Sequence, residues 1–174
     1  MSLSGHVPAT LEAFMTQALQ MELEAAQRYH EFADMMDVHN NPEVSAWFRK
    51  MAAVEGKHAA HIMAQMGWRE APPQPAGAPQ RVGLEAVEGA ASDDLHYLMQ
   101  PWHVLQMALA SEERAERFFA QLARAATDEQ VRQAAFALQQ EEHDHVEMVK
   151  AWLLRVPQPD ANWDQDPDPP RYDD

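Results

Sequence analysis

Two tetrapeptides of the form Glu-x-x-His constrain this chain more than any other feature: Glu55-Gly56-Lys57-His58 and Glu142-His143-Asp144-His145. Each follows an upstream glutamate, Glu22 or Glu112, by about thirty residues. On a helix, residues i and i+3 share a face, so each Glu-His pair can grip one ion while the upstream glutamate reaches across from a neighbouring helix. The pattern predicts a four-helix bundle with a dinuclear metal centre in its core. As a string Glu-x-x-His is weak, because 16 Glu and nine His among 174 residues give about one chance occurrence. Weight comes from the helical register in which the motifs sit.

Apolar or small residues recur three or four apart from Leu11 to Met36, through Ala18, Ala25, Tyr29 and Phe32, and Glu22 falls on the same stripe. The run His39-Asn40-Asn41-Pro42 breaks this first helix. A second stripe carries Val44, Phe48, Met51, Glu55, His58 and Ile62, with Gly67 as its terminator. After a short lead-in over 93–99, Pro101 suits a first turn, and the third stripe reads Leu105, Ala108, Glu112, Ala115, Phe119, Leu122. The run Thr127-Asp128-Glu129-Gln130 reads as a capping box with Thr127 as the cap. It opens a fourth stripe of Val131, Ala135, Leu138, Glu142, His145, Val149 and Trp152. Setting Glu22 on Glu112 aligns Tyr29 with Phe119 and Phe32 with Leu122, so the two hairpins read as a diverged internal repeat.

Residues 67–92 hold four prolines and four glycines without sustained period and form a long connection. Such a loop suits a bundle whose second and third helices run parallel, where the chain must travel back about 35 Å. One domain is therefore expected over 1–156, followed by a tail, 157–174, whose five prolines and six aspartates predict disorder unless it docks on a partner. The formal charge of −15 argues against nucleic acid and anionic membranes as partners. The N-terminal residues lack the basic and apolar runs of a targeting segment, so a cytoplasmic location is expected. Zero cysteines exclude thiolate zinc sites, iron-sulfur clusters and disulfides, leaving oxygen and nitrogen ligands.

Glu22, Glu55, Glu112 and Glu142, with His58 and His145, all occupy the apolar stripes. Converging carboxylates without compensation repel and each costs several kcal/mol in desolvation, and no Lys or Arg stands at the central stripe positions, so bound cations are expected. Glu24, Glu113 and Glu141 fall off the stripes and read as solvated, as do the other histidines, of which His61 lies one turn beyond His58. Tyr29, two turns after Glu22, is placed to hydrogen-bond a ligating carboxylate, whereas Phe119 at the equivalent place cannot.

Across about residues 10–155 these motifs resemble the ferritin-like di-iron carboxylate proteins, in particular the rubrerythrin and erythrin group. The resemblance rests on Glu22 to Tyr29, Glu55 to His58, Glu112 to Phe119 and Glu142 to His145. It implies an all-α, ferritin-like four-helix bundle in which two antiparallel hairpins are joined by a long crossover loop. It also implies two iron ions, with one glutamate per metal from the first and third helices, bridging or chelating Glu55 and Glu142, and His58 and His145 as nitrogen ligands; no catalytic residue is implied beyond these. Rubrerythrins proper add a cysteine-ligated rubredoxin domain, which a chain without cysteine cannot form, and carry a further glutamate where this chain has Ala115. The electron donor is then external, or ferrous iron itself. A homodimer is implied, and the long loop would permit the exchange of helix pairs found in some relatives.

The leading expectation is an oxidoreductase that reduces hydrogen peroxide or oxygen as the ferrous centre is oxidised. Iron binding, storage or delivery of the ferritin type, and a structural bundle without turnover, stay open beside it. Manganese or zinc would satisfy the same ligand shell.

Overall fold

In a computed structural model the chain is described over residues 7–73 and 95–168. Four helices account for its architecture: α1 (Leu11–Val38), α2 (Pro42–Met66), α3 (Pro101–Ala125) and α4 (Glu129–Leu153). Each begins where the sequence offers a cap or a proline. The Thr10 hydroxyl accepts the Ala13 N–H at 3.2 Å to open α1, and Asn41 caps α2 with Pro42 in its first turn. Gly67 ends α2 in the left-handed region, at φ 68°, a conformation that costs a residue without Cβ nothing. For α4 the cap is Asp128, whose carboxylate accepts the Val131 N–H at 3.0 Å. Thr127, the cap expected from sequence, stands one residue outside, because the Asp128 carboxylate already satisfies the free N–H.

The hairpins α1–α2 and α3–α4 are antiparallel and pack against each other. Two apolar clusters fix the helix directions. One joins the start of α1 (Phe14, Leu19), the end of α2 (Ile62), the end of α3 (Phe119, Leu122) and the start of α4 (Val131, Leu138). The other joins the end of α1 (Phe32, Met36), the start of α2 (Val44, Phe48), the start of α3 (Val104, Leu105) and Val149 near the end of α4. Hence α2 and α3 run in the same direction, and the connection between them must return along the bundle, as the long 67–92 stretch requires. Residues 74–92 of that connection lie outside the described residues.

The amide of Asn41 also donates to the carbonyls of Tyr97 (3.2 Å) and Met99 (2.8 Å), tying the α1–α2 turn to the lead-in of α3. Residues 157–168 differ from the expectation of disorder. Trp163 packs against the second apolar cluster, and the Tyr97 hydroxyl donates to Asp166 at 2.6 Å. Composition predicts disorder for a segment that has no core of its own; here the core it buries against belongs to the bundle. Residues 169–174 of the tail lie outside the described residues. No helix among the described residues is long and apolar enough to cross a membrane.

Candidate metal centre

Between the two apolar clusters lies a polar layer. Glu22, Glu55, Glu112 and Glu142 are only 5%, 5%, 3% and 3% exposed, although glutamate is almost never buried without a partner. Helical periodicity puts them there, since each replaces one apolar residue in the stripe of its own helix. His58 and His145, one turn after Glu55 and Glu142, face the same layer.

Two imidazole rings form the middle of the site. His58 and His145 stack with centroids 3.8 Å apart and planes within 9°. The Nδ1 of His58 lies 3.4 Å from Glu22 and 3.5 Å from Glu55, and the Nδ1 of His145 lies 3.4 Å from Glu142 and 3.8 Å from Glu112. These are ion-pair separations at the limit of hydrogen bonding. His58 Nδ1 and Glu112 Oε1 are in fact buried with no hydrogen-bond partner among the described residues. Donor atoms of Glu22, Glu55 and His58 lie within 4.8 Å of one another, and so do those of His58, Glu142 and His145. Five of the six residues singled out in the sequence thus form two Glu/His clusters consistent with a di-metal site, and Glu112 lies buried beside them, 3.8 Å from His145 Nδ1.

Without cations the layer is electrostatically unbalanced. Burial, opposed by His58 but reinforced by Glu55 and Glu142, pushes the Glu22 carboxyl well above the ordinary range. Burial and repulsion from Glu55 and Glu142 do the same to Glu112. For Glu55, burial would raise the pKa, but His58 and Glu22 hold it below the usual value. Burial would lower the pKa of His58, and the carboxylates of Glu22 and Glu55 outweigh it, raising it to about 10. A centre that holds protons on carboxyl groups and on an imidazole is one that divalent cations can enter by displacing them. Unpartnered Nδ1 and carboxylate oxygen atoms, all hard or borderline donors, suit iron, manganese or zinc alike.

Tyr29 is buried two turns from Glu22. Burial and the nearby charges of Glu55 and Glu112 raise its pKa well above the usual phenol value, while a hydrogen bond with the Ser111 side chain and the charge of Arg114 act the other way. Sequence reasoning passed over Ser111 and Arg114 because they sit off the apolar stripe; their positions one residue before and two after Glu112 were the available signal. His61 points away from the layer, its Nδ1 meeting Glu141 at 3.4 Å on the surface, and His143 pairs with Glu116 at 3.1 Å.

Solvent reaches the layer from the imidazole side. The His58 and His145 side chains are 13% and 16% exposed, more than any of the four carboxylates.

Residues 13–153 match the Rubrerythrin family, a span that contains all six converging residues and Tyr29. Among solved structures the chain is similar to an uncharacterized conserved protein from Magnetospirillum magnetotacticum MS-1, with 31% identity and a TM-score of 0.61 over 88% of this chain and 99% of that one. No curated protein matches it.

Proposed function

Since the chain belongs to the rubrerythrin family, we propose that its buried Glu/His layer holds two iron ions and reduces hydrogen peroxide or dioxygen. The observation that carries this reading is the burial of four carboxylates and two imidazoles in one layer with His58 Nδ1 and Glu112 Oε1 left unpartnered. Two ferrous ions held there would give up one electron each, and a peroxide taking up those electrons and two protons would leave as two waters.

What the protein contributes is arrangement. Glu22, Glu55 and His58 form one half of the ligand set, and Glu112, Glu142 and His145 the other, each glutamate and histidine held by the turn of a helix that cannot easily shift. Four carboxylates favour the higher charge of the oxidised pair. The apolar clusters above and below keep water from the layer, so that access is confined to the side where His58 and His145 are partly exposed. Metal entry displaces the protons held by Glu22, Glu112 and His58, so binding is expected to release protons to the solvent. With no cysteine in the sequence, electrons for repeated turnover come from an external donor or from ferrous iron itself.

Anaerobic reconstitution with ferrous iron, elemental analysis and stopped-flow mixing test the reading. Two ions per chain and a near-ultraviolet absorption that rises with peroxide or oxygen are expected. Absence of that absorption with both oxidants would sink the redox assignment, whereas oxidation without sustained turnover when a reductant is supplied would favour iron storage or delivery.

A further inference from the structure

The segment 157–168 is held by a clip built around the start of α3. The Trp163 ring lies with its centroid 3.9 Å from that of His103 and 5.3 Å from that of His96. Asp166 accepts the Tyr97 hydroxyl at 2.6 Å and the Asp168 N–H at 2.8 Å, and the Trp163 N–H closes a turn on the Asp160 carbonyl at 3.2 Å. Both histidines of the clip serve as acceptors. His103 Nδ1 takes the Gln100 N–H at 2.9 Å, and His96 Nδ1 takes the Leu98 N–H at 3.1 Å. A ring nitrogen accepts only while it carries no proton, so a charged imidazole must give up this bond.

We propose that the clip is a pH-operated latch, in which the C-terminal segment stays on the bundle at neutral pH and is released when His103 takes up a proton in mildly acidic solution. Three features single out His103. It is the third residue of α3, where a positive charge opposes the helix dipole. Charging it breaks the bond that caps the helix. Its ring lies directly against Trp163, so a reoriented imidazole disturbs the anchor of the tail.

The neighbouring groups set the sign. His96 lies beside His103 and, once charged, disfavours a second charge there. Asp166 from the tail is attracted to a charged His96, which favours the latched state and so opposes release through that residue. His39, at the end of α1, reaches only the Tyr97 ring, at 6.2 Å. The start of α2 contributes the uncharged Asn41 amide, which donates to the carbonyls of Tyr97 and Met99. Burial holds His103 below the ordinary histidine value, against a smaller opposing effect of the Gln100 backbone. The Trp163 ring covers that of His103 and adds to this burial, so the latched form binds fewer protons than the released one, and the latch is stable above pH 6.5 and weakens as pH falls below it.

Fluorine NMR of the full metal-loaded chain, with 5-fluorotryptophan at its five tryptophans, reads the latch directly, Trp163→Phe assigning the relevant signal. Between pH 8 and about 5.5, above the isoelectric point of about 4.8, the Trp163 signal is expected to move to a solvent-exposed position, with a smaller shift at Trp102 beside His103. His103→Gln keeps a capping acceptor that does not titrate, and should leave Trp163 latched throughout; His96→Gln should keep the response and move its midpoint to higher pH, since it removes the charge that opposes a proton on His103 and the attraction to Asp166. A Trp163 signal that does not move, or one already exposed at pH 7.5, overturns the proposal. So does a response that survives in His103→Gln or vanishes in His96→Gln.

Discussion

Glu55 contacts ligand candidates from both hairpins, facing His58 and Glu22 on one side and Glu112 on the other. Glu55→Ala is accordingly expected to lower metal content below two ions per chain by elemental analysis; a variant that keeps two tightly bound ions would contradict the assignment. Glu112 behaves differently in the metal-free protein, where its carboxyl is pushed up by burial and by Glu55 and Glu142 and one oxygen has no partner. Its ionised form is a cost to folding that an amide of the same shape avoids. Glu112→Gln is expected to stabilise the metal-free chain at pH 7 by on the order of 1 kcal/mol in urea unfolding, while weakening metal binding. Stabilisation of both forms, or of neither, would show that Glu112 is not a strained ligand. Tyr29 belongs to a third class, since burial and the charges of Glu55 and Glu112 keep its phenol protonated, so that it is no ligand. Tyr29→Phe should therefore keep two metal ions per chain and cost only about 1 kcal/mol of stability.

At the level of elements, helix starts provide a sharp comparison between adjacent residues. The Asp128 carboxylate accepts the Val131 N–H, and the exposed Thr127 makes no such bond. Asp128→Ala is expected to destabilise the fold by about 1 kcal/mol and Thr127→Ala by no more than about 0.5 kcal/mol, measured by urea midpoint. The reverse order would place the cap at Thr127. Such offsets mark the limit of what could be read before the structure. The four stripes were legible because burial on a helix repeats every three to four residues, and Glu22, Glu55, Glu112 and Glu142 were conspicuous as charges where apolar residues belong. The parallel run of α2 and α3 was legible from the length of the connection between them. Trp163 was not legible, because its seat is made by His96, His103 and the apolar end of the bundle, which are remote in sequence and carry no periodic signal.

Over the whole molecule, two apolar clusters clamp a charged layer that is unfavourable until cations enter it, so the stability of the protein should report on the state of that layer. In the metal-free chain Glu22 and Glu112 are held above the ordinary glutamate value of 4.5, and His58 is raised from 6.5 to about 10. Across that interval the folded chain binds more protons than the unfolded one, so stability must fall as pH rises. The share from His58 is complete below pH 6.5 and is lost as pH climbs through about 10. The two glutamates add a penalty that begins above pH 4.5, as the unfolded carboxyl groups release protons that the folded ones retain. Glu55, the exposed Asp37 and Glu147, and the half-buried Asp166 have lowered values, and their contribution is lost only when pH falls below the ordinary carboxylate range. The metal-free protein is thus expected to be most stable on the acid side of neutrality and to weaken steadily from pH 6.5 to 9 in urea unfolding. Metal loading should remove or reverse that slope, because bound cations replace the retained protons and bind more tightly as pH rises. A metal-free chain whose stability climbs over that interval would mean that the four glutamates do not share a buried layer.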